Sequence, residues 1–315
     1  MLLAAIIGFE IFAVLAIRKS RGPLPPLVGN FAEIREGLAE APPKEEFSFA
    51  LFGGTVGGTG RFDLLAHKLR QQPMDFAVHL GDGYAKSYPY WRAQLRGDLA
   101  LPFPLFFVEP SDDLDALSRA RFEEDFGPSH FSFVYQDCLF VALGSQPEPG
   151  GTLADVSFLE ELLQGAGPRY RHIFVFLPVP TQLPAGPKKA ESAQLEALFS
   201  RYKVDYVISG HDHGYARLQK GETAYLLSGA GEGGLAATPS GQFDHGLVLT
   251  VGRDFVSETV MPLPTTTPLQ KRLHRFAFVE LYPWLVQNRA LALLGNLALL
   301  LLGLVTIRSL GDRSR

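Results

Sequence analysis

Apolar positions along this chain come in two patterns. At the ends they run almost unbroken: Met1 to Ile17 (MLLAAIIGFEIFAVLAI) has Glu10 as its one charged residue, and Leu291 to Ile307 (LALLGNLALLLLGLVTI) has Asn296 as its one strongly polar residue. Roughly 20 helical residues at about 1.5 Å each cross a hydrocarbon core of about 30 Å, so each run sits near the lower limit for a membrane span. Tyr282 and Trp284 precede the second run and Arg308 follows it, as interfacial anchors do. The first run lacks a basic residue before its apolar stretch, and its small residues lead straight into Ile17-Arg18-Lys19, so it reads as an uncleaved anchor rather than a secretion signal. Glu10 in such a helix is costly unless paired, and Asn296 is one conceivable partner; two independent anchors are the favoured reading.

Between the ends the apolar blocks are short and alternate with helical periodicity. Phe47–Phe52, Phe76–Leu80, Pro104–Val108, His172–Phe176 and Val204–Ile208 read as strands. Helical patterns fall at 61–72, 155–163 and 190–202. His130–Val134 and Cys138–Leu143 predict an antiparallel pair, and 223–228, 246–251 and 255–260 continue as strands. This order predicts an α/β body of mixed sheets with helices outside. The expected organisation is an N-terminal anchor over 1–17, a Pro-rich linker over 18–46, one body over 47–262, a juxtamembrane linker over 263–289, a span over 290–307 and a basic tail over 308–315.

A net charge of −4 over 315 residues leaves no nucleic-acid footprint. The single Cys138 excludes an intrachain disulfide. Arg18, Lys19, Arg21, Lys271, Arg272, Arg275 and Arg289 flank the apolar runs on the body side, so the positive-inside bias places the body in the cytoplasm. The same residues would suit anionic headgroups.

In an open α/β sheet, functional groups gather in the loops after the strands. Gly81-Asp82-Gly83-Tyr84 puts a carboxylate just past a buried strand, which alone is common turn chemistry. Gly210-His211-Asp212-His213 is more specific, because two imidazoles two residues apart at a strand end can be presented to metals. Gly53–Gly60 (GGTVGGTG) lacks the Lys-Ser/Thr ending of a phosphate-binding loop and reads as a flexible turn. His130, His172 and His245 show no convergent spacing and read as ordinary histidines, while His67 and His79 read as surface or packing residues.

With these segments in order, the chain from about Phe47 to about Pro262 resembles the calcineurin-like metallophosphoesterases, including their purple acid phosphatase branch. SGHDHGYAR (209–217) looks like that family's Gly-His-x-His segment, and GDGYAKSYPYW (81–91) like its Gly-Asp segment. The resemblance implies two mixed sheets packed as a sandwich with helices outside, and between them a two-metal site hydrolysing a phosphoester, with cations roughly 3.5 to 4 Å apart. It assigns Asp82 as bridging carboxylate, and His211 and His213 as ligands to different metals. The remaining ligand positions depart from the pattern: Gly54 and Val56 stand in the first motif, Ser111 and Asp112 in the third, and Pro178 in the fourth. Two cations are short of ligands on this count. One divalent metal (Zn, Fe or Mn) on Asp82, His211 and His213 is the alternative. The expectation is therefore a membrane-tethered pseudoenzyme that binds a protein partner or a phosphorylated ligand. The rival is an active phosphoester hydrolase with a one-metal site and Asp112 as proton donor.

Overall fold

The computed structural model describes residues 2–53, 61–81, 92, 95–96, 101–110, 116–144, 153–166, 169–181, 189–211, 214–229, 245–263 and 269–312. Phe47–Phe52 (β1), Phe76–His79 (β2) and Leu105–Phe107 (β3) run parallel, and His245–Val251 (β10) and Val256–Pro262 (β11) complete one sheet in the order β11-β10-β1-β2-β3. The second sheet uses Phe131–Tyr135 (β4), Cys138–Ala142 (β5), His172–Leu177 (β6), Tyr206–Ser209 (β7), Gly214–Lys220 (β8) and Thr223–Gly229 (β9), in the order β4-β5-β6-β7-β9-β8. Within it β5, β6, β7 and β9 are parallel, while β4 and β8 are antiparallel edges.

Strand alternation explains the layers. In β1, Phe49 and Leu51 face the second sheet, while Ala50 and Phe52 face helices Arg61–Leu69 (α4) and Ala116–Phe126 (α5) through Leu65, Leu69, Phe122 and Phe126. In β6, Phe174 and Phe176 point inward. Ile173 and Val175 face Leu153–Gln164 (α6) and Lys189–Arg201 (α7) through Leu159, Leu163, Leu195 and Phe199. The middle layer is aromatic: Phe49, Phe76, Phe106, Phe133, Phe140, Phe174 and Phe176 are each under 4 % exposed. The two-sheet sandwich with outer helices thus agrees with the alternation in the sequence.

The Pro-rich stretch before β1 is not extended. Pro26–Gly29 (α2) starts with its proline at the first helical position, where the missing N–H costs nothing, and Phe31–Ala39 (α3) follows. Val28, Ile34 and Leu38 are buried on the body, and Phe31 packs edge-on against Phe106 and Phe131. Gly22 is bonded too, its carbonyl accepting from Arg92 Nη2 at 2.7 Å.

The terminal apolar runs form helices Leu2–Ser20 (α1) and Arg289–Asp312 (α10). The intervening stretch is helical as well: Leu269–Phe276 (α8), a π-helical turn over Ala277–Leu281, and Tyr282–Gln287 (α9). Among the described residues, one helix is long and apolar enough to cross a bilayer, at Arg289–Thr306 with a mean hydropathy of 1.9. Helix α1 does not meet that measure, because Glu10, Arg18 and Lys19 fall together in any 18-residue window of it. The expectation of independent anchors is corrected here. Asn296 Nδ2 donates to Glu10 Oε2 at 2.6 Å, and Ile17 packs with Phe278, so the two ends of the chain meet. A carboxylate in an apolar helix finds the one amide facing it.

Candidate functional site

Parallel pairing places the carboxyl ends of β1, β2 and β3 on one edge of the first sheet, and those of β5, β6, β7 and β9 on one edge of the second. The two edges meet, and glycines let them do so. A Cβ on Gly210, just past β7, would lie 2.5 Å from the carbonyl oxygen of Leu80, just past β2. One on Gly53 would lie 3.2 Å from the Ser228 carbonyl oxygen in β9. One on Gly144, past β5, would lie 2.6 Å from Glu109 Oε2, past β3. The backbone-to-backbone approach of Gly210 to Leu80 leaves no room for a Cβ. Gly210→Ala is therefore expected to cost about 1–3 kcal/mol, the usual range for forcing extra atoms into a packed site. A thermal-unfolding series of the full chain in nanodiscs checks it; an unchanged midpoint would mean the sheets do not touch there.

The polar residues that the fold buries gather at this seam. Of the eight buried polar residues among those described, His79, Glu109, Ser129, Ser209, Ser228 and His245 lie on it, and only Asp125 and Thr223 lie elsewhere. Buried polar groups are costly unless bonded, so their concentration makes this seam the candidate site.

His211, two residues past β7, is exposed and has φ +71°. That left-handed conformation is strained for a residue with a Cβ, and such strain is typical of functional sites. Gly81, at the equivalent place after β2, has φ +82°, and its N–H donates to His79 Nδ1 at 3.2 Å. The ring of His79 stacks on Phe107 and meets Phe52 edge-on, so it braces the turn leading to Asp82. Asp82, Asp112 and His213 lie outside the described residues, as do Gly54, Val56 and Ser111. Pro178 is buried at the end of β6 and carries no side-chain donor.

Sequence reasoning passed over several residues of the seam. Glu109 is fully buried, and Arg119 Nε donates to its Oε1 at 2.6 Å. Its Oε2 makes no hydrogen bond among the described residues. Burial raises its carboxyl above the ordinary carboxylate range, and the bond and charge of Arg119 oppose the rise. An acidic residue closing the apolar strand Leu105-Phe106-Phe107-Val108 was the available signal. His245, read as an ordinary turn histidine, opens β10 fully buried, with Nε2 3.2 Å from Ser228 Oγ. Nδ1 of His130 accepts from Gly144 N–H at 2.9 Å. His172 lies at the far end of β6, paired with Asp205 at 2.9 Å. Tyr215 and Arg217, from the segment that carried the resemblance, hold Glu258 of β11. Arg217 Nε lies 3.0 and 3.1 Å from its two oxygens and the Tyr215 hydroxyl 3.4 Å away, a link between the sheets.

His79 and His130 thus accept from backbone N–H groups, and His245 pairs with Ser228. Among the described residues no three His, Cys, Asp or Glu side chains come together to hold a cation. The described part of the site does not supply a two-metal set: Pro178 offers no donor and Glu109 is engaged by Arg119.

No family model matches the chain, and no curated protein matches it in sequence. Solved structures do. GAP50, the anchor in the inner membrane complex of Plasmodium, shares 14 % identity over 75 % of this chain and 95 % of its own, with a TM-score of 0.53. A dimetal phosphatase from Danio rerio shares 13 % identity over 69 % of this chain and 99 % of its own, with a TM-score of 0.51. The body of this protein has the metallophosphoesterase fold.

Proposed function

We propose that this chain is a membrane-anchored protein in which a metallophosphoesterase scaffold is kept for binding, at the strand-end cleft, a phosphorylated ligand or a protein partner, with hydrolysis weak or absent. The observation that carries this reading is the end of β6. The fold there brings a strand terminus to the seam between the sheets, and the residue just past it is buried Pro178. Gly54, Val56 and Ser111 in the sequence point the same way. The apolar helix α10 supports the anchor, and so does the likeness to GAP50, itself described as an anchor. The excess of Lys and Arg on the body side supports a cytoplasmic body.

The test is metal analysis of the full chain in detergent with Zn, Mn and Fe supplied, together with turnover of simple phosphomonoesters and diesters. Metal well below one ion per chain and no turnover above background are expected. Two ions per chain with turnover abolished by Asp82→Ala would overturn the reading. A second reading is favoured by the strained His211 at the strand end: a one-metal hydrolase with Asp82, His211 and His213 as ligands. It requires one ion per chain, and an Asp112→Asn variant with lower turnover at unchanged metal content.

A further inference from the structure

We propose that α8 is a membrane-surface helix resting on anionic lipid headgroups, where it sets which face of the body approaches the bilayer. The proposal rests on the membrane attachment through α10 argued above.

Helix α8 reads Leu269-Gln270-Lys271-Arg272-Leu273-His274-Arg275-Phe276. At about 100° per residue, Leu269, Leu273 and Phe276 fall within an arc of about 60°. The fold leaves that arc uncovered: the three residues are 68, 48 and 47 % exposed. At the same spacing Lys271 and Arg275 fall away from the arc and Arg272 falls beside it, about 40° from Phe276, and the segment has no acidic residue. An apolar arc opposed by cations over two turns is how helices lie in the interface, with the apolar face dipping below the headgroups and the cations at the phosphates.

On another side the helix is held by His274, whose ring lies 5.6 Å from that of Phe12 in α1 and 4.9 Å from that of Phe278. Phe276, at the edge of the exposed arc, also stacks on Phe9 at 6.3 Å. Farther along the chain toward and into the apolar helix, Trp284 and Val286 of α9 and Leu291, Leu293 and Leu294 of α10 are likewise exposed. A protein partner would need to cover α8 and stop where the bilayer begins; lipid covers both without a break. Asn288, at φ −116° and ψ 40°, ends α9 and lets the chain change direction between a helix lying in the plane and one crossing it. Full immersion of α8 is opposed by its cations, which are costly at the hydrocarbon centre.

The test uses the full chain in nanodiscs of phosphatidylcholine with and without phosphatidylserine. Single spin labels are placed through Leu269→Cys, Leu273→Cys and, on α10, Leu301→Cys. Cys138 is buried and stays in place, and protein without an added cysteine reports its background labelling. Depth is read from collision with oxygen against a water-soluble nickel chelate. Labels at 269 and 273 are expected at one shallow depth in serine-containing discs, with 301 deep. In discs without phosphatidylserine, or with Lys271, Arg272 and Arg275 replaced by Gln, the first two should move at least several-fold toward the nickel-accessible side. Labels at 269 and 273 in water with 301 still deep would overturn the surface-helix proposal while leaving the anchor intact. A steady increase in depth from 269 to 273 would overturn it in favour of a span. Unchanged depth without anionic lipid would overturn the headgroup recognition. A water-exposed label at 301 would instead refute the anchor.

Discussion

Phe140→Ala is expected to destabilise the fold by about 3–5 kcal/mol, the range for truncating a buried aromatic residue. The Phe140 side chain is fully buried at the centre of the layer between the sheets. Its ring stacks on Phe133 at 4.8 Å and Phe174 at 4.9 Å within its own sheet. Across the gap it meets Phe76 at 5.2 Å and Phe49 at 5.4 Å, both edge-on. Offset and edge-on pairs of this kind add to the burial of the ring itself. The neighbours are themselves rings locked by further rings, so they cannot collapse into the space, and the cavity term is retained. Leu218→Ala, at a half-exposed position on the edge strand β8, should by contrast change stability by no more than about 0.5 kcal/mol. Chemical unfolding of the full chain in nanodiscs, followed by near-ultraviolet dichroism, compares the two. A loss below about 1 kcal/mol for Phe140→Ala would mean that the sheets are not packed through this layer.

Arg119→Ala should be of similar size, about 3–5 kcal/mol near neutral pH, because it strands the buried Glu109 carboxylate without its cation. Its pH dependence separates it from a packing defect. Burial holds the Glu109 carboxyl above its unfolded value of 4.5. The native state therefore binds the proton more tightly than the unfolded chain does. The stability contributed by the protonated group is fully present below about pH 4.5 and is lost as pH rises through the raised native value. Without Arg119 the native value climbs further, so the variant's deficit should be small in acid and largest near pH 8. Adding Glu109→Gln should recover part of the loss at pH 8, since a neutral amide needs no counter-charge. A deficit independent of pH, unaffected by Glu109→Gln, would show that Arg119 acts only by packing.

The body's strands were legible because each is a short apolar block between turn signals, and strand pairing in the fold moves their ends by only a residue or two. Strand β8 was not legible. Gly214-Tyr215-Ala216-Arg217-Leu218-Gln219-Lys220 carries little apolar signal and exposes its last four residues, and it becomes a strand only by pairing with β9. The stretch of α2 and α3 was hidden for a different reason. Its prolines mimic a linker, and the burial of Val28, Ile34 and Leu38 depends on a surface supplied by distant strands. At the site, the loop glycines and His211 could be located from motif order. Ser228 and His245 could not, because a hydroxyl and an imidazole far apart in the chain carry no common local pattern, and Glu109 showed only as an acidic residue closing an apolar strand.

By itself the sequence determined the alternation of strands and helices, the apolar ends, and the absence of a side-chain donor at Pro178, since each of these is a property of a few neighbouring residues. Tertiary structure alone decided that Gly53, Gly144 and Gly210 form a seam between two sheets, that Arg119 neutralises Glu109 inside it, and that Glu10 meets Asn296. These contacts join residues that only sheet register and helix packing bring within a few ångströms, and pairings set by three-dimensional proximity leave no trace in local periodicity.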